Sequence, residues 1–428
     1  MQDDTIFALA SGSGRAAIAV MRISGPGSRA ALAALCAGRV PAPRHAALRR
    51  LRHHAVLDQA LVLWLPGPGS YTGEDSAELH LHGGRAVVDG VANALAAQGL
   101  RPAEPGEFTR RAFLNGRMDL IEAEAVHDLI AAETEAQRRQ ALRQLEGALG
   151  TLYHGWADTL RRLLAQQEAL IDFPDEDLPP HVEAAMLADL AGLRAEVAAH
   201  LDDAHRGEKL REGLCFAITG APNVGKSSLI NALADRDVAI VSPTPGTTRD
   251  VLEARVVLGG VPVTLIDTAG LRDTADPIEA EGVRRARARA ADADLVIELV
   301  EAGSPAPEVS DGRRLLVASK ADLGRPGPGG ALRISVLTGK GLDVLRRRLE
   351  AEATALTEGE GPPPLTRARH RVALQDALER LVSAGMSGLP ELRGEDMRLA
   401  LNALGRITGQ IGVEDILDTL FAQFCIGK

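Results

Sequence analysis

Gly220-Ala-Pro-Asn-Val-Gly-Lys226-Ser227 has the GxxxxGK[ST] spacing of a phosphate-binding loop. Its glycines let the backbone curl until several N–H groups face phosphate oxygens. Lys226 then carries positive charge to the β- and γ-phosphates, and the Ser227 hydroxyl is suited to bind magnesium. The plainer alternative, a glycine-rich turn, is disfavoured by the flanks. An apolar, strand-like run from Leu214 to Thr219 precedes the loop, and a helix-like SLINALA follows it. The basic residues point the same way. Only Lys209, Lys226, Lys320, Lys340 and Lys428 are lysines; all the others are arginine. A compact ammonium fits a tight phosphate loop where a planar guanidinium does not.

A phosphate loop alone does not choose between GTP and ATP; the downstream residues do. Strand-like VLEARVVL and VPVTLID flank Gly259-Gly260, a two-residue hairpin turn. The second strand ends in Asp267-Thr268-Ala269-Gly270, a carboxylate for the magnesium side and a glycine amide for the γ-phosphate. LLVAS then leads to Ser319-Lys320-Ala321-Asp322, which looks like the NKxD guanine motif. There the aspartate accepts two hydrogen bonds that adenine cannot donate, and an unpaired carboxylate is costly. Ser319 stands where asparagine is usual. Ser335-Val336-Leu337, at the end of the strand-like ALRIS, offers a further base contact. Leu271 follows DxxG where many regulatory GTPases carry a glutamine, so the attacking water needs another source of order. Glu279 in GLRDTADPIEAEG is the candidate, against the simpler reading of an acidic residue at a helix start.

These groups need a scaffold. A chain of 428 residues exceeds one ordinary core, so two or three domains are expected. The expected fold is multidomain: an α+β region over 1–117, an α-helical domain over 118–210 plus 356–428, and an inserted α/β P-loop domain over 211–355. AAIAVMRIS, ALVLWLP and AELHLHGG supply strands for the first. Leu142, Leu145, Leu149, Leu152, Leu160, Leu163 and Leu170 recur at helical spacing and predict long helices. No apolar run suffices to span a membrane, MQDDTIFALASGSGR does not read as a signal or transit peptide, and three scattered cysteines suit a reducing cytoplasm. The net charge of −10 is a poor overall match to nucleic acid, although RRARARA (284–290) and Arg49, Arg50 and Arg52 are local basic patches. Glu78, His80 and His82 alternate on one strand face; a polar pocket or packed face suits them better than zinc, which lacks a fourth ligand.

PGEFTRRAFLNGRMDL (105–120), PNVGKSS, PGTTRD, DTAGLR and the tail FCIGK together resemble the MnmE (TrmE) family of tRNA-modification GTPases, in order from DTIFALAS to Lys428. That resemblance implies a folate-binding N-terminal domain that also dimerises, a helical domain and an inserted G domain. It implies a cytoplasmic homodimer joined to the FAD protein MnmG (GidA) in a heterotetramer or larger complex. Together they would place an aminomethyl or carboxymethylaminomethyl group on carbon 5 of the tRNA wobble uridine. The carbon would come from 5,10-methylene- or 5-formyl-tetrahydrofolate.

The resemblance also assigns residues. GTP would be held by Asn223, Val224, Gly225, Lys226, Ser227 and Ser228, by Ser242, Pro243, Thr244, Pro245, Gly246, Thr247 and Thr248, and by Asp267, Thr268, Ala269 and Gly270. Ser319, Lys320, Asp322, Ser335, Val336 and Leu337 would hold the base. Mg2+ falls to Ser227 and Thr248. K+, in place of an arginine finger, falls to Asn223, Ser242, Thr244 and Thr247. Glu279 matches the glutamate that orients water. Folate falls to Arg22, Glu78, Arg117 (a lysine in much of the family) and Lys428. Cys425 matches a tail cysteine near the modification step, or is a small apolar residue among Phe421, Phe424 and Ile426. The acidic balance suggests that the partner supplies much of the grip on tRNA. Two rivals remain at this level: a regulatory or ribosome-assembly switch, which needs no folate pocket, and a metabolic P-loop ATPase, which SKAD and PGTTRD disfavour.

Overall fold

The structure, a computed structural model, describes all residues except 1–3, 13, 173–179, 235–252, 269–289, 306–312, 360, 413 and 428. It divides into two compact units, residues 1–127, 144–158 and 401–428 in one and 128–143 and 159–400 in the other.

The first unit is built on a six-stranded sheet of β1 (Ile6–Leu9), β2 (Ala16–Ser24), β3 (Ala47–His53), β4 (Ala55–Leu65), β5 (Ser76–Gly83) and β6 (Arg101–Pro102). The strand order is β3-β4-β5-β2-β1-β6, antiparallel except for the β1–β6 pair. Alternation along β5 explains its two faces: Ala77, Leu79 and Leu81 are buried, while Glu78 and His80 are half-exposed and His82 exposed. The apolar face packs with Leu32 and Leu35 of helix Ser28–Leu35 and with Val91 and Leu95 of helix Arg85–Ala96. A second cluster joins Leu120 and Ala123 to Leu417, Leu420, Phe421 and Phe424. Gly106 permits that approach. Its φ is +67°, and a Cβ there would stand 2.8 Å from the Phe421 carbonyl oxygen. Its N–H donates to the Cys425 carbonyl at 3.4 Å, and Pro105 bridges Ile426.

A charged network lies on the same unit. Arg101 Nη2 reaches Asp4 and Glu107 at 2.7 Å each, and Arg111 Nη2 reaches the same two carboxylates at 2.8 and 3.0 Å. Arg111 is 2% exposed and also faces Glu74 at 3.3 Å. The N-terminal segment, β6, helix Glu107–Leu114 and the loop before β5 are thereby tied together.

The second unit contains helices and the P-loop fold. The leucine spacing over 118–172, whose residues are divided between the two units, resolves into Leu120–Ala131, Glu135–Leu145 and Ala148–Asp172. A capping box starts the second of these: Gln137 N–H donates to Thr134 Oγ1 at 3.3 Å, and Thr134 N–H donates back to Gln137 Oε1 at 3.2 Å. Leu149, Leu160 and Leu163 are buried, whereas Leu142, Leu145, Leu152 and Leu170 are half-buried. Asp128 accepts from Arg211 at 3.0 Å and from Arg367 at 2.6 Å. Arg371 pairs with Asp203 at 2.5 Å and Glu208 at 3.2 Å. These bonds fasten the helix before the P-loop fold (Arg206–Glu212) to the helix after it (Ala368–Met386).

His200, on helix Pro180–Leu201, is buried there. Burial pushes its pKa down to about 4; Asp203 opposes the shift, and Arg371 and His370 add to it. The unfolded histidine titrates near 6.5, so between these values the unfolded state binds the extra proton. Its neutral burial therefore favours the native state fully above pH 6.5, and that contribution falls as pH drops toward 4. Melting temperatures across that window are expected to fall less steeply for His200→Gln than for the parent. Parallel curves would exclude this group.

The P-loop fold has a sheet of β7 (Leu214–Gly220), β8 (Glu253–Leu258), β9 (Val261–Asp267), β10 (Leu295–Glu301), β11 (Arg314–Ser319) and β12 (Leu332–Arg333), in the order β12-β11-β10-β7-β9-β8. Only β8 is antiparallel to its neighbour. Its hairpin turns on Gly259 and Gly260, whose φ values of +61° and +80° suit a two-residue loop. β9 is buried along its length, with Leu229, Ile230 and Leu233 of helix Lys226–Ala234 and Leu345 and Leu349 of helix Leu342–Thr357 in the same core. β7 lies between β9 and β10: the chain goes from β7 to β8 and β9 on one side, and after β9 continues to β10 on the other. That switch point opens a crevice at the carboxyl ends of the strands.

Candidate functional site

The loop from Gly220 to Gly225 leaves β7 at this crevice and enters helix Lys226–Ala234. Gly220 has φ +137°, and a Cβ on it would lie 2.2 Å from the Leu299 carbonyl of β10, so only glycine fits. Asn223 is also left-handed, at φ +62°, and its side chain is exposed. Val224 is buried and anchors the loop in the sheet core. Lys226 is buried and folds back over the loop, donating to the carbonyls of Gly220 at 3.0 Å and Ala221 at 2.9 Å. Ser228 is exposed on the first helical turn.

Register brings the second motif alongside. Ile218 of β7 lies opposite Asp267 of β9, which is 3% exposed. Ser227 Oγ donates to Asp267 Oδ2 at 2.7 Å. Thr268 turns inward, its N–H and Oγ1 both donating to the Ile218 carbonyl at 3.2 and 3.0 Å. A hydroxyl and a carboxylate meeting at one point form a hard-oxygen donor set, the chemistry a small divalent cation requires.

The third motif leaves the end of β11. Ser319 is buried and donates to the Val300 carbonyl at 3.2 Å. Lys320 has φ +57° and its ammonium meets Glu301 at 2.9 Å. Asp322 is exposed on the 3₁₀ turn Ala321–Leu323, whose first N–H donates to the Ile334 carbonyl at 2.9 Å. Ser335 is buried, Val336 half-buried and Leu337 87% exposed. The parallel strands β7, β9, β10 and β11 thus bring the three sequence motifs to one edge of the sheet. Ser242, Pro243, Thr244, Pro245, Gly246, Thr247, Thr248, Ala269, Gly270 and Glu279 lie outside the described residues, as does most of RRARARA.

In the first unit, Arg22 of β2 and Glu78 of β5 are direct cross-strand partners. Arg22 Nε and Nη2 donate to Glu78 Oε1 at 3.1 and 3.0 Å. The guanidinium lies over the rings of Tyr71, 5.2 Å away, and Phe108, 5.7 Å away. Burial raises the Tyr71 pKa, and its hydroxyl bonds Thr109 Oγ1 at 2.9 Å. Sequence reading did not find Tyr71 or Phe108; no local spacing links them to Arg22. Arg117 is exposed, with its aliphatic stem beside Gly73. Lys428 lies outside the described residues, and Cys425 is exposed rather than packed with Phe421 and Phe424. His80 faces Glu78 at 3.7 Å and His82 pairs with Asp58 at 2.7 Å. Among the described residues no three His, Cys, Asp or Glu side chains gather around a metal-sized space. Among them, too, no helix is long and apolar enough to cross a membrane.

Comparison with known proteins covers almost the whole chain. The family model described as the MnmE helical domain matches residues 120–425, and that described as the GTP-binding protein TrmE N-terminus matches residues 5–117. The tRNA modification GTPase MnmE of Gluconacetobacter diazotrophicus is 63% identical over 431 residues, covering 99% of this chain and 98% of that one. The MnmE protein of Granulibacter bethesdensis is 59% identical over 441 residues, covering all of both chains. That of Rhodospirillum rubrum is 54% identical over 456 residues, again covering both completely.

Proposed function

This chain belongs to the MnmE family of tRNA modification GTPases, and from that premise we propose that it is a potassium-dependent GTPase serving wobble-uridine modification. The observation carrying the GTPase reading is the meeting of Lys226, the Ser227–Asp267 pair and the Ser319–Asp322 turn at one sheet edge. In this reading the loop N–H groups and Lys226 bind the phosphates, and Asp322 accepts from the guanine edge. Ser227 and Thr248 hold Mg2+, which spreads phosphate charge when bound. Asn223, Ser242, Thr244 and Thr247 offer neutral oxygens to K+, and Glu279 orients the water.

Residues 1–117 are proposed as the folate-binding and dimerising domain, 118–210 with 356–428 as the helical domain, and 211–355 as the G domain. Arg22, Glu78, Arg117 and Lys428 would hold a one-carbon tetrahydrofolate. A carboxylate that accepts N–H bonds beside a guanidinium suits a pterin with an anionic tail, and the Arg22–Glu78 pair supports this reading. MnmG (GidA) would supply the flavin step and much of the hold on tRNA in the cytoplasm, and Cys425 is a candidate at the modification step.

Steady-state GTP hydrolysis in potassium and in sodium, at matched ionic strength, tests the core of the proposal. Potassium is expected to raise kcat at least tenfold, an effect comparable to one well-placed charge. Glu279→Ala is expected to remove most of the potassium-stimulated rate. Equal rates in the two salts would overturn the potassium mechanism while leaving the GTPase assignment standing.

A further inference from the structure

We propose that Glu301 is a positioning residue for guanine recognition, holding Lys320 and through it the turn that presents Asp322 to the base. The inference rests on reading Ser319–Asp322 as the base-reading turn. Glu301 closes β10 directly opposite Ser319 of β11. Its Oε2 accepts from Lys320 Nζ at 2.9 Å, and its Oε1 faces Arg325 at 3.6 Å. The hydrogen bond from Lys320, then the charges of Lys320 and Arg325, hold the Glu301 carboxyl below the usual carboxylate range. It is therefore ionised at neutral pH.

The turn needs a brace at this point. Lys320 is left-handed at φ +57°, a conformation disfavoured for a residue with a Cβ. Beyond it the backbone is fixed, because Ala321 N–H donates to the Ile334 carbonyl at 2.9 Å. Before it, the single hydroxyl proton of Ser319 is given to the Val300 carbonyl, so it cannot also be donated toward the phosphate loop. The Glu301–Lys320 pair is then a second side-chain tie from the turn to β10, beside that of Ser319 to Val300, and it is the one made by the left-handed residue itself. The pair is partly exposed, with side chains 36% and 39% accessible, so salt weakens it.

The experiment is a titration of the full chain with a fluorescent GDP analogue at low and high KCl, for the parent, Glu301→Gln, Glu301→Asp and Asp322→Asn. Glu301→Gln is expected to weaken binding by about two- to fivefold at low salt, the range of a partly exposed ion pair. The loss should shrink at high salt, and Glu301→Asp should recover part of it. In steady state the change should fall on KM for GTP and not on kcat. If Asp322→Asn weakens binding but Glu301→Gln matches the parent, the positioning role falls and the base-reading turn stands. An equal loss at both salts, not recovered by Glu301→Asp, would also overturn it, because packing and not charge would then be at work. If Asp322→Asn leaves affinity unchanged, the turn is not the base reader and the inference falls with it.

Discussion

Lys226→Ala is expected to lower kcat/KM for GTP by about 10²–10³-fold, the usual consequence of removing one preorganised charge-stabilising donor. Lysine has three ammonium protons. Two are directed to the carbonyls of Gly220 and Ala221, which fix the side chain across the loop. The third is left for phosphate. The charge is therefore preorganised, and its burial reduces screening by water. Lys226→Arg should fail almost as badly, since a planar fork cannot make the same folded-back contact in so small a loop. Circular dichroism should show the fold intact for both. A variant retaining a tenth or more of the parent kcat/KM would mean that the phosphate charge is met elsewhere.

Arg111→Ala is expected to destabilise the first unit by about 3–5 kcal/mol, the range for removing one partner of a buried ion pair. The guanidinium is 2% exposed and faces Asp4, Glu107 and Glu74. Its loss would leave Glu107 buried with Arg101 as the remaining guanidinium partner. Burial works to raise the Glu107 pKa, but bonds from Arg101, the Glu104 N–H and Arg111 hold it below the ordinary 4.5. A depressed carboxylate stabilises the fold above that value and loses the effect as pH falls through its folded pKa. Urea unfolding at neutral pH should show the full loss for Arg111→Ala and a smaller difference from the parent in acid. Pairing Arg111→Met with Glu107→Leu should recover much of the stability. A change below 1 kcal/mol for Arg111→Ala would show that Arg101 alone suffices.

The sequence was most legible where the determinant is local. Gly259-Gly260 between two apolar runs is a hairpin in the structure, and Leu214 to Thr219 lies within β7. The phosphate loop is a contiguous string whose geometry depends on its own glycines. Partners from distant segments were not legible. Asp4 meets Arg101, Arg22 meets Tyr71 and Phe108, and Glu301 meets Lys320 only because strand order and register bring them together. The helix break before Glu135 was not legible for another reason: a leucine stripe reports a buried face, whereas the new helix is started by the polar capping box of Thr134 and Gln137. Cys425 shows the limit of composition, since phenylalanine neighbours at 421 and 424 are buried while the cysteine is exposed.

The pairing of Leu120 and Ala123 with Phe421 and Phe424 has a consequence for how the molecule is made. The two halves of this cluster are roughly 300 residues apart, so at typical ribosomal speeds they emerge about 15 to 60 seconds apart. Through that interval the nascent chain carries an uncovered apolar surface on helix Leu120–Ala131, while the intervening P-loop fold has all its own strands available. The nucleotide-binding part can therefore mature before the unit whose sequence began first. A holdase chaperone would find its substrate on the ribosome in that early, waiting segment.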